Sequence, residues 1–427
     1  MTRYFFILGR DPTLSLAEVI AVFTHKKIKY QIFSTSNEVA IIDVESNDGY
    51  ISDLMKTFGG IIKIGKIING INLDESEEKF QKVFSADNLT KNFLPSTGGV
   101  GRKLHLGISL YDGGGEKIYL DSLFSKLKSL NILAKENLKE GGVKVGFVKV
   151  KEIVLSSVSV VKNDLLKKGT EIVLVLSQKV IWVGKTLAVQ EFEEFSKRDY
   201  LRPWKDKRSG IMPTKLARIM LNLAQIERGE TLLDPFCGGG TILQEAIVLG
   251  QRSLFGSDRS GQAAENSRRN IDWLFHEFRN LDRLSYNIKI FQADARSISH
   301  MLKPKTIGTI VTEPYLGPPM YKKPDLPTIK KILNEIGILY IQVFRQFADI
   351  LKSKGKIIIV FPAFVENNKI YFLEIIDEIK KLGFQTVDFF PQEIEKYLSI
   401  VLTLRKTILY GSREHFLKRE ILGFEKK

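Results

Sequence analysis

Short apolar runs and helically spaced apolar residues alternate from the start of the chain. YFFILG (4–9) reads as a strand, and LSLAEVIAVF (14–23) places its apolar residues at helical spacing. Strands are expected again at VAIIDV (39–44) and IIKIGKII (61–68), completing a small α/β unit. From Lys103 the pattern renews itself. KLHLGISLY, a helix over 120–137, GVKVGFVKV, EIVLVLSQ and VIWVGKTLAV predict a second small α/β domain. EFEEFSKRDYLRPWKDKRSG (191–210) then breaks the periodicity with dense mixed charge, Pro203 and Gly210, which marks a linker or a surface-crossing segment.

Beyond it the alternation is longer and more regular. Pro213 sits at a helix start, and Leu216, Ile219, Met220 and Leu223 line one face of the helix it opens. Strands follow at TLLD (231–234), SLFGSD (253–258), IKIFQAD (288–294), GTIVT (308–312) and KIIIVF (356–361), separated by helical stretches. Such alternation argues a doubly wound sheet. QTVDFF (385–390) and LSIVLTLRKT (398–407), with a short connection, are expected to be antiparallel neighbours at its edge. The boundaries that follow are an N-terminal ferredoxin-like unit over 1–75, a second α/β domain over 76–190, a linker over 191–212 and the large domain over 213–427.

Charge narrows the partners. A formal charge of +15 over 427 residues implies a polyanion, because lysines and arginines that neutralise phosphates release counterions. Nucleic acid leads. No apolar run has the length of a membrane-spanning helix, and Met1 to Val22 lacks the basic start and small-residue cleavage site of a signal peptide. Cys237 is the sole cysteine, which excludes an internal disulfide and suits a reducing cytoplasm. His25, His105, His276, His300 and His415 are scattered without ligand spacing, so no metal site is expected.

The chemistry concentrates in the large domain. LLDPFCGGGTILQEA (232–246) sets a carboxylate at a strand end, then three glycines, then a helix. Glycines let the backbone approach a ligand, and the N–H groups of the helix start receive its polar atoms. Asp258, roughly twenty residues on, stands where a doubly wound fold presents an acid to ribose hydroxyls. A dinucleotide loop would carry a glycine at position 243, where this chain has Leu243, and Asp234 would repel a pyrophosphate. Asp234 suits instead a cationic ligand with an amino group, of which S-adenosylmethionine is one.

DPFCGGGT, GSDRS, QADAR and EPY, in this order and spacing, resemble the motifs of class I S-adenosylmethionine-dependent methyltransferases that modify exocyclic amines of bases. The whole chain resembles, more closely, the archaeal and eukaryotic tRNA guanine-N2 methyltransferase family acting at position 10 of tRNA. RDYLRP (198–203) and MPTKLARIMLNLA (212–224) add to the likeness, and VLSSVSVVKNDL (154–165) is similar to the end of a THUMP RNA-binding domain. The resemblance implies a Rossmann-like methyltransferase domain behind a THUMP-like domain at 76–190. It implies S-adenosyl-L-methionine held by Asp234, Gly238 and Gly240 around the methionine part, by Asp258 at the ribose and by Asp294 at the adenine amine, with Phe236 as a further cofactor-binding residue. Cys237 lies in the cofactor loop, where a packed thiol is expected rather than a nucleophile.

The resembled enzymes carry Asp-Pro-Pro-Tyr at the target base; here the four positions are Thr312, Glu313, Pro314 and Tyr315. Acceptors on both amine hydrogens localise the lone pair toward the methyl group, and an aromatic face holds the base. Thr312 keeps an acceptor oxygen without charge, whereas the Glu313 carboxylate should leave an extended backbone on the opposite side. Three outcomes stay open: Thr312 suffices, Glu313 bends back, or amine methylation is weakened or lost.

RNA, above all tRNA, is the expected partner. Lys144, Lys149, Lys151, Lys162, Lys167 and Lys168, with Arg198, Arg202, Lys205, Lys207 and Arg208 of the linker, form a set suited to gripping a phosphate backbone. Two other functions fit the same residues: a non-catalytic RNA-binding protein on a methyltransferase scaffold, and a methyltransferase of this class acting on rRNA or DNA adenine.

Overall fold

A computed structural model describes residues 1–95, 103–148, 153–205, 212–320, 322–392, 401–412 and 414–427. Two compact units divide it. The first is formed by Met1–Leu16 with Lys26–Phe192, the second by Ala17–His25, Glu193–Pro391 and Val401–Lys427.

The first unit is built on one eight-stranded sheet. Its N-terminal part runs β1 (Thr2–Leu8), α1 (Pro12–His25, whose residues Ala17–His25 belong to the second unit), β2 (Tyr30–Thr35), β3 (Val39–Val44), α2 (Asp48–Asp53) and β4 (Ile61–Asn72). The remainder adds β5 (Leu104–Asp112), α3 (Lys117–Glu140), β6 (Val145–Phe147), α4 (Ser157–Lys162), β7 (Gly169–Ser177) and β8 (Val180–Val189). The strands lie in the order β2-β3-β1-β4-β8-β7-β5-β6. Its first four follow the βαββαβ plan of ferredoxin-like units. The sheet passes without a break from residues 1–75 into residues 76–190, because β4 pairs antiparallel with β8 from Lys63↔Val189 to Asn72↔Val180.

A dry polar cluster spans that junction. Lys63 of β4 and Glu171 of β7 pair at 2.6 Å with side chains 1% and 0% exposed. Ser109 of β5 and Thr186 of β8 each donate to the Glu171 carboxylate at 2.6 Å. Lys63 Nζ also donates to the carbonyl of Leu155 at 2.6 Å, and the Leu155 N–H donates to Ser109 Oγ at 2.9 Å. Every buried charge therefore has partners, as a desolvated ion pair requires. The network fixes residue 155, at the start of the 154–165 segment, onto the sheet.

The second unit holds α5 (Phe192–Tyr200, whose first residue belongs to the first unit), α6 (Thr214–Ala224), β9 (Thr231–Asp234), α7 (Thr241–Val248), β10 (Ser253–Asp258), α8 (Gly261–Glu277), β11 (Asn287–Gln292) and β12 (Ile307–Thr312). There follow α9 (Leu326–Ile350), β13 (Leu351–Glu366), β14 (Lys369–Phe372), α10 (Ile376–Lys381), β15 (Phe384–Val387), β16 (Ile408–Tyr410) and β17 (Leu417–Lys426). The sheet runs β11-β10-β9-β12-β13-β17-β15. Strands β9 to β13 are parallel, and β17 is antiparallel to both β13 and β15. The order reverses between β9 and β12, and it is at the carboxyl ends of the strands at such a switch point that open α/β sheets bind ligands.

Helix α9 shows how the unit is held. Asp325 caps it by accepting from Thr328 N at 3.0 Å, and Pro327 occupies its first turn, where no N–H is needed. Ile329, Ile332, Ile336, Tyr340, Val343, Phe344, Phe347 and Ile350 recur every three or four residues and are buried in one core with Ile357, Ile359, Phe361 and Phe424. Each such side chain contributes about 1.5–3 kcal/mol relative to exposure.

The expected pairing of QTVDFF with LSIVLTLRKT is corrected. Strand β15 pairs with β17, while residues 401–407 form a turn before β16, and 398–400 lie outside the described residues. Threonine chemistry explains the turn. Thr403 Oγ1 accepts from Arg405 N at 3.2 Å and Thr407 N at 3.1 Å, bonds that compete with a strand ladder. The strand that pairs antiparallel with the parallel set is 417–426, leaving β15 at the edge, and its buried ILGF core is masked in sequence by flanking charges.

Candidate active site

Parallel strands β9, β10 and β12 bring Asp234, Asp258 and Thr312 to one edge of the sheet, because all three residues end their strands. Asp234 is 2% exposed. Its Oδ1 accepts from the Thr312 hydroxyl at 2.7 Å and from Phe236 N at 3.2 Å. Burial raises its carboxyl from 3.8 to about 7, against the pull of these two donors, and the charges of Asp258 and Glu313 push the same way as burial.

The loop after β9 turns on two glycines. Gly238 and Gly240 have φ of 49° and 76°, a region costly for other residues. A Cβ at Gly238 would meet nothing within 4 Å, whereas one at Gly240 would strike Ser267 Oγ at 2.3 Å. The open space beside Gly238 thus faces a bare backbone next to a buried acid. Asp258 closes the far side: its Oδ2 accepts from Gly238 N at 3.0 Å and its Oδ1 from Ser260 N at 2.9 Å. It therefore serves both as a turn carboxylate and as a brace for the glycine loop. Cys237 is buried in that loop, its N–H donating to Ser257 O at 2.9 Å, and burial pushes its thiol well above the ordinary range. It is a packed thiol.

Asp294 stands two residues past the end of β11. Its carboxylate caps residues 295–300 through Arg296 N at 2.9 Å and pairs with the Arg296 guanidinium at 2.6 Å. The hydrogen bonds from Arg296 hold its carboxyl below the usual range. Glu313 does not reach toward Asp234; Arg419 of β17 grips it through Nη2–Oε1 at 3.0 Å and a second contact from Nε to Oε2. Pro314 follows, and Tyr315 is 51% exposed while its carbonyl accepts from the Tyr340 hydroxyl at 3.1 Å.

Two of the linker arginines are not surface charges. Arg198 is 2% exposed and pairs with Glu245, and Arg218 of α6 pairs with the same carboxylate at 2.7 Å. Arg202, 3% exposed, donates to Thr241 Oγ1 at 2.6 Å at the first residue of α7. The expectation that Arg198 and Arg202 grip phosphate is therefore corrected, because both guanidiniums are consumed inside the domain. Lys207 and Arg208 lie outside the described residues, as do Lys149 and Lys151. Residues 198–204 instead wall the glycine loop. Asn270 accepts from Trp204 N at 2.9 Å and donates to Trp204 O at 3.0 Å and Gly239 O at 2.9 Å. A sequence clue existed for Arg218 and Glu245, since each is a charge inside an otherwise apolar helical face. None marked Asn270, Tyr340 or Arg419.

The donor set fits S-adenosylmethionine: a buried acid for an ammonium, a bare glycine backbone beside it, and a second acid at the next strand end. Residues 202–372 match the family model described as UPF0020, RMKL-like, methyltransferase domain. Over 355 residues the chain is 26% identical to a protein of Methanocaldococcus jannaschii named tRNA (guanine(10)-N2)-dimethyltransferase, covering 80% of this chain and 90% of that one. It is 31% identical over 145 residues to a probable tRNA (guanine(10)-N2)-dimethyltransferase of Methanothermococcus thermolithotrophicus, covering 34% of this chain and 77% of that one. The crystal structure of TrmN from Thermus thermophilus aligns over 100% of both chains with a TM-score of 0.55 and 13% identity, a likeness of fold. By these relatives, the chain belongs to the tRNA (guanine(10)-N2)-dimethyltransferase family.

Proposed function

We propose that this protein methylates the N2 amine of a tRNA guanine, the guanine at position 10 to which its relatives' names refer, and that it adds the two methyl groups those names state. The observation that carries the reading is the Thr312–Asp234 hydrogen bond of 2.7 Å, which joins the acid suited to the cofactor to the first residue of the base-site stretch.

S-adenosylmethionine, when bound, supplies an electrophilic methyl group on its sulfonium. The work of the chain is placement. Asp234 receives the ammonium of the methionine part, the loop of Phe236, Gly238 and Gly240 borders it, and Asp258 takes the ribose hydroxyls. Asp294 is assigned to the adenine amine, for which its carboxylate must share or leave Arg296. At the base site Thr312 Oγ1 donates its only proton to Asp234 and keeps lone pairs that accept from the exocyclic amine. The carbonyl of Glu313 is assigned as the second acceptor, and Tyr315 as the face on which guanine stacks. Pinning both amine hydrogens turns the nitrogen lone pair toward the methyl group, a gain of orientation rather than of acid–base chemistry.

Among the described residues no helix is long and apolar enough to cross a membrane. The first unit is assigned the RNA grip, with the 76–190 region as a THUMP-like domain, and the protein to the cytoplasm. Lys144, Lys162 and Lys167 are exposed there, while Lys168 pairs with Asp164 at 2.6 Å. Binding should weaken steeply with salt, on the order of a thousandfold between low and moderate salt for about six phosphates neutralised.

The test is incubation of the full chain with methyl-labelled cofactor and tRNA transcripts, followed by digestion to nucleosides. Label in N2-methylguanosine and N2,N2-dimethylguanosine, lost when guanine 10 is replaced, is the expected outcome. Label in methyladenosine would transfer the reading to the adenine branch of the class. No label in any RNA, with cofactor bound, would favour a non-catalytic scaffold.

A further inference from the structure

We infer that Arg419 is a positioning residue for methyl transfer: acting through Glu313, it fixes the loop that presents Tyr315 to the base. The inference rests on the reading of residues 312–315 as the base site. Glu313 is the first residue beyond β12, where ladder hydrogen bonds end and the backbone loses its lateral support. Arg419 stands on β17, which is paired on both sides, by β13 and β15, and its own register partners are Pro362 and Tyr410. A guanidinium on so fixed a strand is a rigid reference point.

The two side chains meet in a two-point fork, Nη2–Oε1 at 3.0 Å and Nε to Oε2, with side-chain exposures of 24% and 15%. Bidentate geometry and partial burial separate it from the solvent-exposed pairs that contribute little. Two residues on, the Tyr315 carbonyl is held by Tyr340, which is 1% exposed within α9. Pro314 lies between these anchors with φ fixed by its ring. The backbone carrying the Tyr315 ring is thus tied at 313 to the sheet and at 315 to a helix, while the ring stays open. Where the resembled family has a proline at position 313, this chain has a glutamate, and the ion pair to Arg419 restores the constraint that the ring would impose. Arg419 is assigned no contact with reacting atoms, so its effect passes through the loop.

The experiment measures single-turnover methyl transfer to tRNA, cofactor affinity by calorimetry and the thermal midpoint of the full chain for Arg419→Met, Arg419→Lys, Tyr340→Phe and the exchanged pair Glu313→Arg with Arg419→Glu. Misplacement of the base costs about a hundredfold when geometry shifts by an ångström. We expect Arg419→Met to slow transfer by about tenfold or more with cofactor affinity within about twofold of wild type. Arg419→Lys should recover part of the rate, the exchanged pair should exceed Arg419→Met, and Tyr340→Phe should slow transfer without moving cofactor affinity. An unchanged rate in Arg419→Met, or a loss of rate matched by equal losses of cofactor binding and thermal midpoint across all variants, overturns the inference. Tyr315→Ala is run alongside: if it abolishes transfer while Arg419→Met does not, the base-site reading stands and the positioning role falls. If Tyr315→Ala transfers normally, the base-site reading itself falls and the positioning role with it.

Discussion

The hydroxyl of Thr312 donates to Oδ1 of Asp234 at 2.7 Å, with Thr312 fully buried and Asp234 nearly so. Strand β12 therefore reports to strand β9 through a single proton. At the position where the resembled family carries an acid, a second carboxylate would face Asp234 in the same dry corner. Threonine avoids that repulsion and still keeps an acceptor oxygen.

The raised pKa of Asp234, about 7 against an ordinary 3.8, gives the proposed cofactor binding a defined pH dependence. An ammonium partner needs the ionised form. Below pH 7 binding should therefore release up to about one proton, and affinity should fall by up to about tenfold per pH unit. The stability linkage has the opposite sign. A carboxyl whose folded value is raised stabilises the ligand-free fold below the unfolded value, and that contribution is lost as pH rises from about 4 through 7. Calorimetry at pH 6 in buffers of different ionisation heat measures the proton. Asp234→Asn should abolish its release, bind cofactor weakly at every pH and unfold at higher temperature than wild type at pH 8 without ligand. Binding that releases no proton in wild type would refute the assignment.

Thr312→Val removes the donor but keeps the volume. The Asp234 carboxylate then loses a hydrogen bond to a charged group, worth about 1.5–3 kcal/mol, so its pKa rises further. Cofactor affinity at pH 7 should drop by about tenfold or more, the deficit should shrink at pH 9, and Thr312→Ser should restore it. A deficit equal at both pH values would mean that Thr312 acts by packing alone.

Glu245 is the buried counter-ion of both Arg198 and Arg218. Glu245→Gln keeps the shape and removes the acid that Arg198 and Arg218 share, at a cost of about 3–5 kcal/mol. Urea denaturation should show the midpoint shift at unchanged slope. A loss under about 1 kcal/mol would show that water or another acid reaches the cluster.

The periodicity made most of the large domain legible, because its strands are short apolar runs closed by glycine or aspartate. TLLD and SLFGSD occupy 231–234 and 253–258 as expected, and the acids that end them share one edge. Strand β17 was hidden by Lys418, Arg419 and Glu420, whose charges precede the apolar part of a buried run that starts at Glu420 itself. The continuity of the first unit's sheet was hidden for a different reason. Lys63 and Glu171 read as surface charges one by one, and only their meeting across strands 108 residues apart reveals a shared interior. The glycine loop and the TEPY stretch were visible as local words. Their supports, Asn270, Tyr340 and Arg419, come from distant elements and carry no local pattern.

Tyr315 provides the sharpest test of the base site. Its ring is half exposed although its backbone is held by Tyr340 and it follows a proline, an arrangement that leaves an aromatic face free on a rigid stem. Burial and the charge of Glu335 raise its phenol above the ordinary 10, so it stays neutral at working pH and cannot serve as a base. Stacking requires only the ring. Base–aromatic stacking is worth about 1–3 kcal/mol, so Tyr315→Ala should weaken productive tRNA binding or transfer by about five- to 150-fold, whereas Tyr315→Phe should keep most of it. Cofactor affinity should be unchanged in both, since no cofactor contact is assigned to this side chain. Single-turnover assays at saturating cofactor separate the effects. A phenylalanine variant as poor as alanine would move the role from the ring to the hydroxyl, and an alanine variant as fast as wild type would place the target guanine elsewhere.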